Sequence, residues 1–358
     1  MANGNLCSHG AYPRVISRHD LMQTLHDGLP AEAKAKLLPG KKVIDVSSGP
    51  DGVSVTCEDG TSYTGTVIVG ADGAHSRVRD LMRTAALQAP PTTENKINEA
   101  EPFLTTYRAM WVRFPTVPPI KAGDASETHG YNCTLQLFAG EDTSVIGVYE
   151  RMEKPTREGV RYNQADEEKF IERWGHLPII EGGLTIKEAY TNRTQAGMVN
   201  LEEGVVDHWS WDRIVLVGDA AHKFTPSTGA GCNNGIVDVV ALSNEMYHAF
   251  KAVRASDPEA FPTKEQVFAA FEGYQLARFE TVKAGLAGAS QATGAATWAD
   301  TTHKFVDRHI LSKQSLQKFF ANRNAPALAR TPVFEYVEGE EQMVGKFPWA
   351  HPIKPASS

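Results

Sequence analysis

The sequence predicts a mixed α/β (α+β) fold, and three observations predict it. A β-branched run at residues 213–217 ends at Gly218-Asp219 and leads through a glycine-rich loop into apolar residues at helical spacing. Turn signals separate short strand-like runs between residues 41 and 73. More strand patterns follow between residues 103 and 149, and helical patterns dominate from residue 264 onward. The chain therefore combines a partial doubly wound unit with an inserted sheet and a helical C-terminal part.

Each element rests on a local signal. Ser17 is a candidate N-cap for a first helix, Gly49-Pro50-Asp51-Gly52 is a turn between strands, and Asp72 is a candidate cap for a helix at 74–82. Alternating or continuous apolar residues predict the strands, and apolar residues three to four positions apart predict the helices. The predicted strands are 43–46, 53–57, 67–70, 103–114, 131–138, 144–149 and 213–217; the predicted helices are 17–25, 74–82, 166–174, 234–246, 264–289 and 305–320.

Length and composition limit the class of protein. At 358 residues, with 41% hydrophobic and 22% charged residues, the chain can hold two domains with real cores. A net charge of −7 gives no support for nucleic-acid binding. No apolar run reaches bilayer length and the first residues lack a signal-peptide core, so we expect a soluble, cytoplasmic protein without a transmembrane segment.

The cysteines do not suggest a metal site. Cys7, Cys57, Cys133 and Cys232 are widely scattered and lack the spacing of metal ligands. We expect reduced thiols and no bound metal.

The stretch after residue 213 has the composition of a nucleotide or flavin site. Asp219 follows a buried strand, where its carboxylate can accept hydrogen bonds from sugar or ribityl hydroxyls. Gly229 and Gly231 let the backbone approach a ligand closely. The helix that follows offers free N–H groups and a partial positive charge to an anionic group.

This stretch resembles the GD motif of the FAD-dependent monooxygenases of the aromatic-hydroxylase type (group A). The matching residues are Gly218, Asp219, Ala220, Ala221, His222, Pro226, Gly229, Gly231, Asn233 and Asp238. The resemblance implies that Gly218 and Asp219 contact the ribityl chain of FAD. It also implies that Pro226, Gly229, Gly231, Cys232 and Asn233 hold the edge of the isoalloxazine ring.

Two earlier segments carry the same resemblance. Arg18 in Arg18-His19-Asp20-Leu21 is similar to the arginine that contacts FAD in this family. Asp72 and Gly73, after the strand at 67–70, resemble the family's DG motif, which lies near the FAD pyrophosphate and is implicated in nicotinamide use. Arg77 and Arg79 are available for phosphates or for ion pairs, and the sequence leaves both roles open.

The resemblance implies a division of the chain into four parts. Residues 1–94 and 198–290 are the two portions of the FAD-binding domain, and residues 291–358 are a helical C-terminal region with a tail. Residues 95–197, which follow the linker signal Pro90-Pro91-Thr92-Thr93, are the substrate-binding β-sheet domain. On one of its strands, Tyr107 is a candidate proton donor or acceptor, and Arg108 is a candidate to steer a substrate oxygen or an enolate.

The function implied is that of a fungal-type terpenoid or polyketide epoxidase or hydroxylase. In that family NAD(P)H reduces FAD, O₂ adds to form a C4a-hydroperoxide, and one oxygen passes to a small organic substrate. The sequence departs from the family in one respect: no G-x-G-x-x-G element precedes Arg18. Three alternatives therefore stay open: a truncated inactive paralogue, a partner subunit that cannot hold FAD alone, and a flavin reductase or dehydrogenase without oxygen insertion.

Overall fold

Three β-sheets and a set of long helices make up the part of the chain that the structure describes. A computed structural model of the chain describes residues 8, 10, 14–49, 52–90 and 97–356. The middle of the predicted turn at 49–52, the linker residues 91–93 and Cys7 lie outside the described residues. The mixed α/β fold class is confirmed.

Strands and helices are numbered in chain order. The strands are β1 Val43–Gly49, β2 Gly52–Cys57, β3 Ser62–Gly65, β4 Ile68–Gly70, β5 Leu104–Pro115, β6 Ala125–Gly130, β7 Cys133–Ala139, β8 Thr143–Thr156, β9 Gln195–Val205, β10 Ser210–Trp211, β11 Ile214–Leu216 and β12 His222–Lys223. The helices are α1 Arg18–Gly28, α2 Ala31–Lys34, α3 Arg77–Gln88, α4 Gln164–Trp174, α5 Ile186–Thr191, α6 Ala230–Arg254, α7 Lys264–Ala296, α8 Thr301–Val306 and α9 Gln314–Leu328.

A small sheet with the order β10-β11-β4 forms the base of the predicted site. Strand β11 is parallel to β4, with Val215 opposite Val69, and antiparallel to β10. Because side chains of β11 are buried on both faces, the run is continuously apolar rather than alternating. Because the sequence lacks the G-x-G-x-x-G unit, it predicts an unpaired edge for the strands at 67–70 and 214–217. Among the described residues this holds for β4 and is wrong for β11, which has a neighbour on each side.

The larger sheet is antiparallel and has the order β12-β9-β5-β8-β7-β6. Along β5, Met110, Val112 and Phe114 pack in the core that α4 and α5 cover. Side chains alternate along a strand, so Tyr107 and Ala109 lie on the opposite face. Strand β6 is a strand that the sequence did not indicate, because its side chains are mostly polar and exposed and give no alternating pattern.

Most helices differ from their predicted bounds, and α6 spans Ala230–Arg254 rather than 234–246. Helix α3 begins at Arg77 rather than at residue 74, because Ser76 is its N-cap and accepts the Arg79 N–H. Asp72 still assists, since its carboxylate accepts the Val78 N–H at 3.0 Å. Helix α1 begins as predicted after the Ser17 cap.

Two further differences lie in the C-terminal part of the chain. Helix α7 continues through Gly285 and Gly288 to Ala296, so the prediction that it ends near residue 289 is wrong. Residues 284–296 include six alanines and one leucine, whose helix propensity outweighs the three glycines of this part. The predicted helix at 305–320 is also wrong in extent, because α8 passes into a π-helical turn at Asp307–Leu311 before α9 begins.

None of the helices in the described part of the chain is long and apolar enough to cross a bilayer.

Candidate functional site

The candidate site is built around the turn that ends β11. Gly218 has a φ of +58°, a left-handed conformation that glycine adopts at little cost, and it opens a 3₁₀ turn of three residues through Ala220. The turn lies directly on α6: a Cβ added to Gly218 would stand 3.7 Å from the Cα of Gly235. The two glycines therefore let the turn and the helix approach closely.

The start of α6 lies beside Asp219. The helix begins after Gly229, which has a φ of +63° and supplies no side-chain cap, so the first N–H groups are not bound by a capping side chain. A Cβ added to Gly231 would stand 3.8 Å from Asp219 Oδ1. In the described part of the chain, no hydrogen bond or ion pair holds the Asp219 carboxylate. A free acceptor and a helix N-terminus therefore share one surface.

A buried charged network holds this turn against α6. The Asp238 carboxylate accepts the Gly218 N–H at 3.0 Å and the His222 Nε2–H at 2.5 Å. Arg278 of α7 donates to Asp238 at 2.9 Å and to the Asn234 side chain at 2.7 Å. Burial alone would raise the pKa of Asp238, but hydrogen bonds and charge from His222 and Arg278 outweigh burial and lower it. The ionised Asp238 carboxylate therefore holds the turn at Gly218 against α6.

The segment that contains Asp72 is joined to the same turn. Strands β4 and β11 are parallel neighbours, so Asp72 and Asp219 follow strand ends at the same edge of the sheet. The buried Arg79 donates to the Ala220 carbonyl at 3.0 Å and to the Ala74 carbonyl at 2.8 Å. The Arg79 guanidinium thus joins its own segment to the turn through two backbone carbonyls, and the choice between a phosphate contact and an ion pair stays open.

Two other predicted residues stand apart from this cluster. Arg77 donates to the Ile44 carbonyl of β1 at 3.0 Å. Arg18 is exposed on α1, a helix that has no buried side chain. Its predicted contact with FAD stays a prediction.

The larger sheet contacts the loop that precedes α6. Gln136 of β7 donates to the Ser227 carbonyl at 3.2 Å, and the buried Tyr149 hydroxyl donates to Gln136 at 2.7 Å. Thr293 of α7 shares hydrogen bonds with the hydroxyls of Thr225 and Ser227. The sheet, the loop and the end of α7 therefore meet at one place, with Pro226 inside the loop.

Tyr107 and Arg108 lie on opposite faces of β5. The Tyr107 hydroxyl is 3.4 Å from Thr297 Oγ1, just past α7 and on the side of the loop. Arg108 points to the other face, where it donates to the buried Glu150 carboxylate at 2.6 Å. Arg173 of α4 binds the second oxygen of Glu150, also at 2.6 Å. The geometry does not bring these two predicted catalytic residues together.

A cleft of about 740 Å³ opens at the edge of β9. Its lining combines apolar and charged groups, including Tyr162, Val199, Glu202 and Lys223. Lys223 donates to Glu202 at 3.1 Å, so these two charges are paired. A volume of this size suits a small organic molecule.

Comparison with known proteins assigns the family. A family model for the FAD binding domain matches residues 2–257. The chain is 34% identical over 269 residues to the FAD-dependent monooxygenase verC1 of Penicillium polonicum, covering 73% of this chain and 32% of verC1. It is 30% identical over 278 residues to the FAD-dependent monooxygenase DEP2 of Alternaria brassicicola, covering 76% of this chain and 51% of DEP2. It therefore spans about a third to a half of these curated relatives.

Solved structures agree on the fold. HpxO of Klebsiella pneumoniae, complexed with FAD and uric acid, is similar with a TM-score of 0.62 at 17% identity, over 89% of this chain and 73% of that protein. A salicylate hydroxylase in complex with its substrate has a TM-score of 0.59 at 19% identity, over 87% and 74% of the two chains. The chain belongs to the FAD-binding-domain family of FAD-dependent monooxygenases, and the predicted resemblance is confirmed.

The residues at the start of α6 fit FAD. Asp219 offers a carboxylate free to accept hydroxyl hydrogen bonds, and the first turn of α6 offers N–H groups without a side-chain cap. A Cβ added to Gly229 would have no atom within 4 Å, so the backbone there is open to a ligand. Gly218, Asp219, Pro226, Gly229, Gly231, Cys232 and Asn233, predicted as one set, all lie on the segment from this turn to the first turn of α6.

Sequence reasoning missed the residues that support the site. Arg278 and Gln136 do not belong to the motif, and their partners are distant along the chain. One signal was present: Arg278 lies between Tyr274 and Val282 on the buried face of α7, where an arginine requires a buried acceptor.

Proposed function

We propose that this protein, with FAD bound, hydroxylates or epoxidises a small organic secondary metabolite with NAD(P)H and O₂ as co-substrates. The observation that carries the proposal is the hydrogen bond between Gln136 and Ser227, which joins the sheet to the loop before α6. A substrate held on that sheet face would lie next to a flavin held by the loop and the helix. The names of verC1 and DEP2, both FAD-dependent monooxygenases, support the same reaction class.

Each part of the site has a role in this proposal. Asp219 accepts hydrogen bonds from the ribityl hydroxyls of FAD, and the α6 N–H groups stabilise negative charge on the flavin edge. FAD, when bound, supplies the transfer of electrons from the nicotinamide and the activation of oxygen. The chain itself orients both molecules and excludes water.

The substrate contacts follow from the sheet. On the loop-facing side of β5 and β9, Ala109 is opposite Val199, and Trp111 is opposite Gly197. Trp111 and Val199 are exposed, which suits an apolar substrate such as a terpenoid or a polyketide-derived compound. Tyr107 is the candidate to hold or protonate a substrate oxygen. Arg108 acts indirectly in this proposal, by joining β5 to β8 through Glu150.

The reaction is tested with FAD-loaded protein, NADPH and ¹⁸O₂, over a panel of terpenoid and polyketide compounds. We expect one labelled oxygen atom in an organic product, detected as a mass increase, with NADPH consumption stimulated by that substrate. NADPH oxidation that gives only hydrogen peroxide, with every compound unlabelled, would contradict oxygen insertion and favour a flavin reductase.

A second candidate function is that of a subunit that holds FAD only together with another chain. Two observations favour it: among the described residues β4 has a strand neighbour on one side only, and its Val69 is 45% exposed. An exposed parallel strand edge with an apolar side chain is a surface for strand pairing. Under this alternative the protein binds no FAD alone, and adding the companion chain restores binding.

A further inference from the structure

A segment near the C-terminus combines positive charge with exposed aromatic side chains. Residues 301–330 contain six lysines and arginines and one acidic residue, whereas the whole chain has 36 basic and 43 acidic residues. The one acid, Asp307, is directed inward, because it accepts the Trp298 indole N–H at 2.8 Å and faces His129 Nδ1 at 2.7 Å. The surface of this segment is therefore positive in a chain of negative net charge.

The aromatic residues of α9 lie on its outward side. Phe319 is 56% exposed and Phe320 is 41% exposed, and they precede Arg323 by one helical turn. Ala325, on the opposite side of the helix, is fully buried. Lys313, the N-cap residue of α9, is also exposed. Helix α9 thus has a small inner side and an outer side that we call the aromatic-basic face, formed by Lys313, Phe319, Phe320 and Arg323.

A further exposed ring lies on the preceding helix. Phe305 of α8 is 59% exposed and packs only against the His309 ring among the ring contacts of the described residues, with centroids 4.9 Å apart. Single exposed apolar side chains are ordinary on proteins, but several phenylalanines among basic residues form a surface that water solvates poorly.

We propose that the aromatic-basic face binds the surface of an anionic lipid bilayer. Phenylalanine rings partition into the boundary between headgroups and acyl chains, and lysine and arginine are attracted to anionic headgroups. Helix α9 has 15 residues and lies in the plane of the bilayer surface in this proposal. A second copy of the chain suits the face less well, since two positive faces repel each other.

The experiment is co-sedimentation of the full chain with two kinds of vesicle. One kind is phosphatidylcholine alone, and the other is an equimolar mixture of phosphatidylcholine and phosphatidylserine. We expect binding to the anionic vesicles only, and weaker binding at high salt. The Lys313→Gln and Arg323→Gln variants should each bind roughly fivefold more weakly, and a Phe319→Ser/Phe320→Ser variant should lose most of its binding.

Matched controls separate this face from general stickiness and from misfolding. Leu276→Ser removes an exposed apolar side chain from α7, and Lys169→Gln removes an exposed lysine from α4. Both should bind like the unchanged chain, and thermal melts should show that every variant is folded. Equal binding to neutral vesicles, no binding to either kind, or equal losses in the controls would overturn the proposal. So would a dimer that forms without lipid and that the phenylalanine variant abolishes, because the face would then belong to a second copy.

Discussion

His222 Nε2 lies 2.5 Å from Asp238 Oδ2, and both side chains are fully buried. The same carboxylate oxygen accepts the Gly218 N–H, 20 positions earlier in the chain. The turn that presents Asp219 is therefore held by a residue on α6 and not only by its own sequence. Substitutions at this buried pair should therefore weaken FAD binding at the proposed site, although neither side chain belongs to the residues proposed to contact FAD.

The first prediction concerns the Asp238→Asn variant. Removing the charge leaves Arg278 buried without an ionised partner, so we expect the free energy of unfolding to fall by about 3–5 kcal/mol. FAD affinity should fall as well, because Gly218 and Asn234 lose their fixed positions. Urea unfolding and flavin titration measure both quantities. Asp142→Asn, in an exposed turn, is the control and should change neither.

Replacing glycine by alanine should have opposite effects on stability at Gly229 and at Gly288. Gly229→Ala places a side chain at a φ of +63°, where strain costs about 1–2 kcal/mol, and we expect the chain to be less stable by that amount. Gly288→Ala, inside α7 with nothing within 4 Å of its Cβ position, should stabilise by about 0.5–1 kcal/mol. Thermal melts of the two variants decide the point. Equal effects of the same sign would show that the left-handed start of α6 is not required.

Arg108 should matter for stability more than for chemistry. Arg108→Gln removes one of the two arginines that bind the buried Glu150, and we expect a loss of about 3 kcal/mol in the free energy of unfolding. FAD affinity should be unchanged, since Arg108 faces away from the loop before α6. Arg113→Gln, exposed on the same strand, serves as the comparison. A stable Arg108→Gln protein with lost turnover would instead support a direct role in catalysis.

His129 should make the stability depend on pH. Burial alone would lower its pKa, but hydrogen bonds to Glu127 and Asp307 outweigh burial and raise it above 6.5. The protonated His129 therefore stabilises the fold. This contribution is fully present at pH values below the pKa of the unfolded chain, and it is lost as the pH rises through the pKa of the folded chain. We therefore expect melting temperatures to decline from about pH 6 upward.

The His129→Gln variant should flatten that decline. His19→Gln, exposed on α1, should leave it intact. If the melting temperature of the His129→Gln variant declines with the same slope, groups other than His129 cause the decline.

Features that depend on neighbouring residues were predicted from the sequence, whereas contacts between residues distant along the chain were not. The GD turn, the Ser17 cap and the seven predicted strands depend on neighbouring residues, so local patterns were sufficient to find them. Five strands, β9 among them, were not predicted. The contacts of Arg79 with Ala220, of Arg278 with Asp238 and of Gln136 with Ser227 join distant segments, and no local pattern encodes them. Helix α7 passed the predicted end because propensity is summed over a long helix, whereas the glycine signal is local.

The opposite faces of Tyr107 and Arg108 follow from strand alternation, which the sequence already contained. Strand alternation alone does not show which face of β5 lies against the loop before α6. The packing of α4 and α5 on one face and the position of α7 on the other decide it. The residues predicted to bind the cofactor lie on one segment of the structure, and their contact with FAD stays a prediction. The two residues predicted for the substrate side lie on opposite faces of β5.

The most direct test of the central claim is a titration of the chain with FAD, in which the flavin absorbance is used to measure binding. We expect FAD to bind to the unchanged chain and Asp219→Asn to weaken binding about ten- to a hundredfold, the loss expected for charge-assisted hydrogen bonds to ribityl hydroxyls. Asp142→Asn should bind like the unchanged chain. A chain that binds no flavin, or an Asp219→Asn variant that binds as tightly as the unchanged chain, would contradict the claim that this turn and α6 form the FAD site.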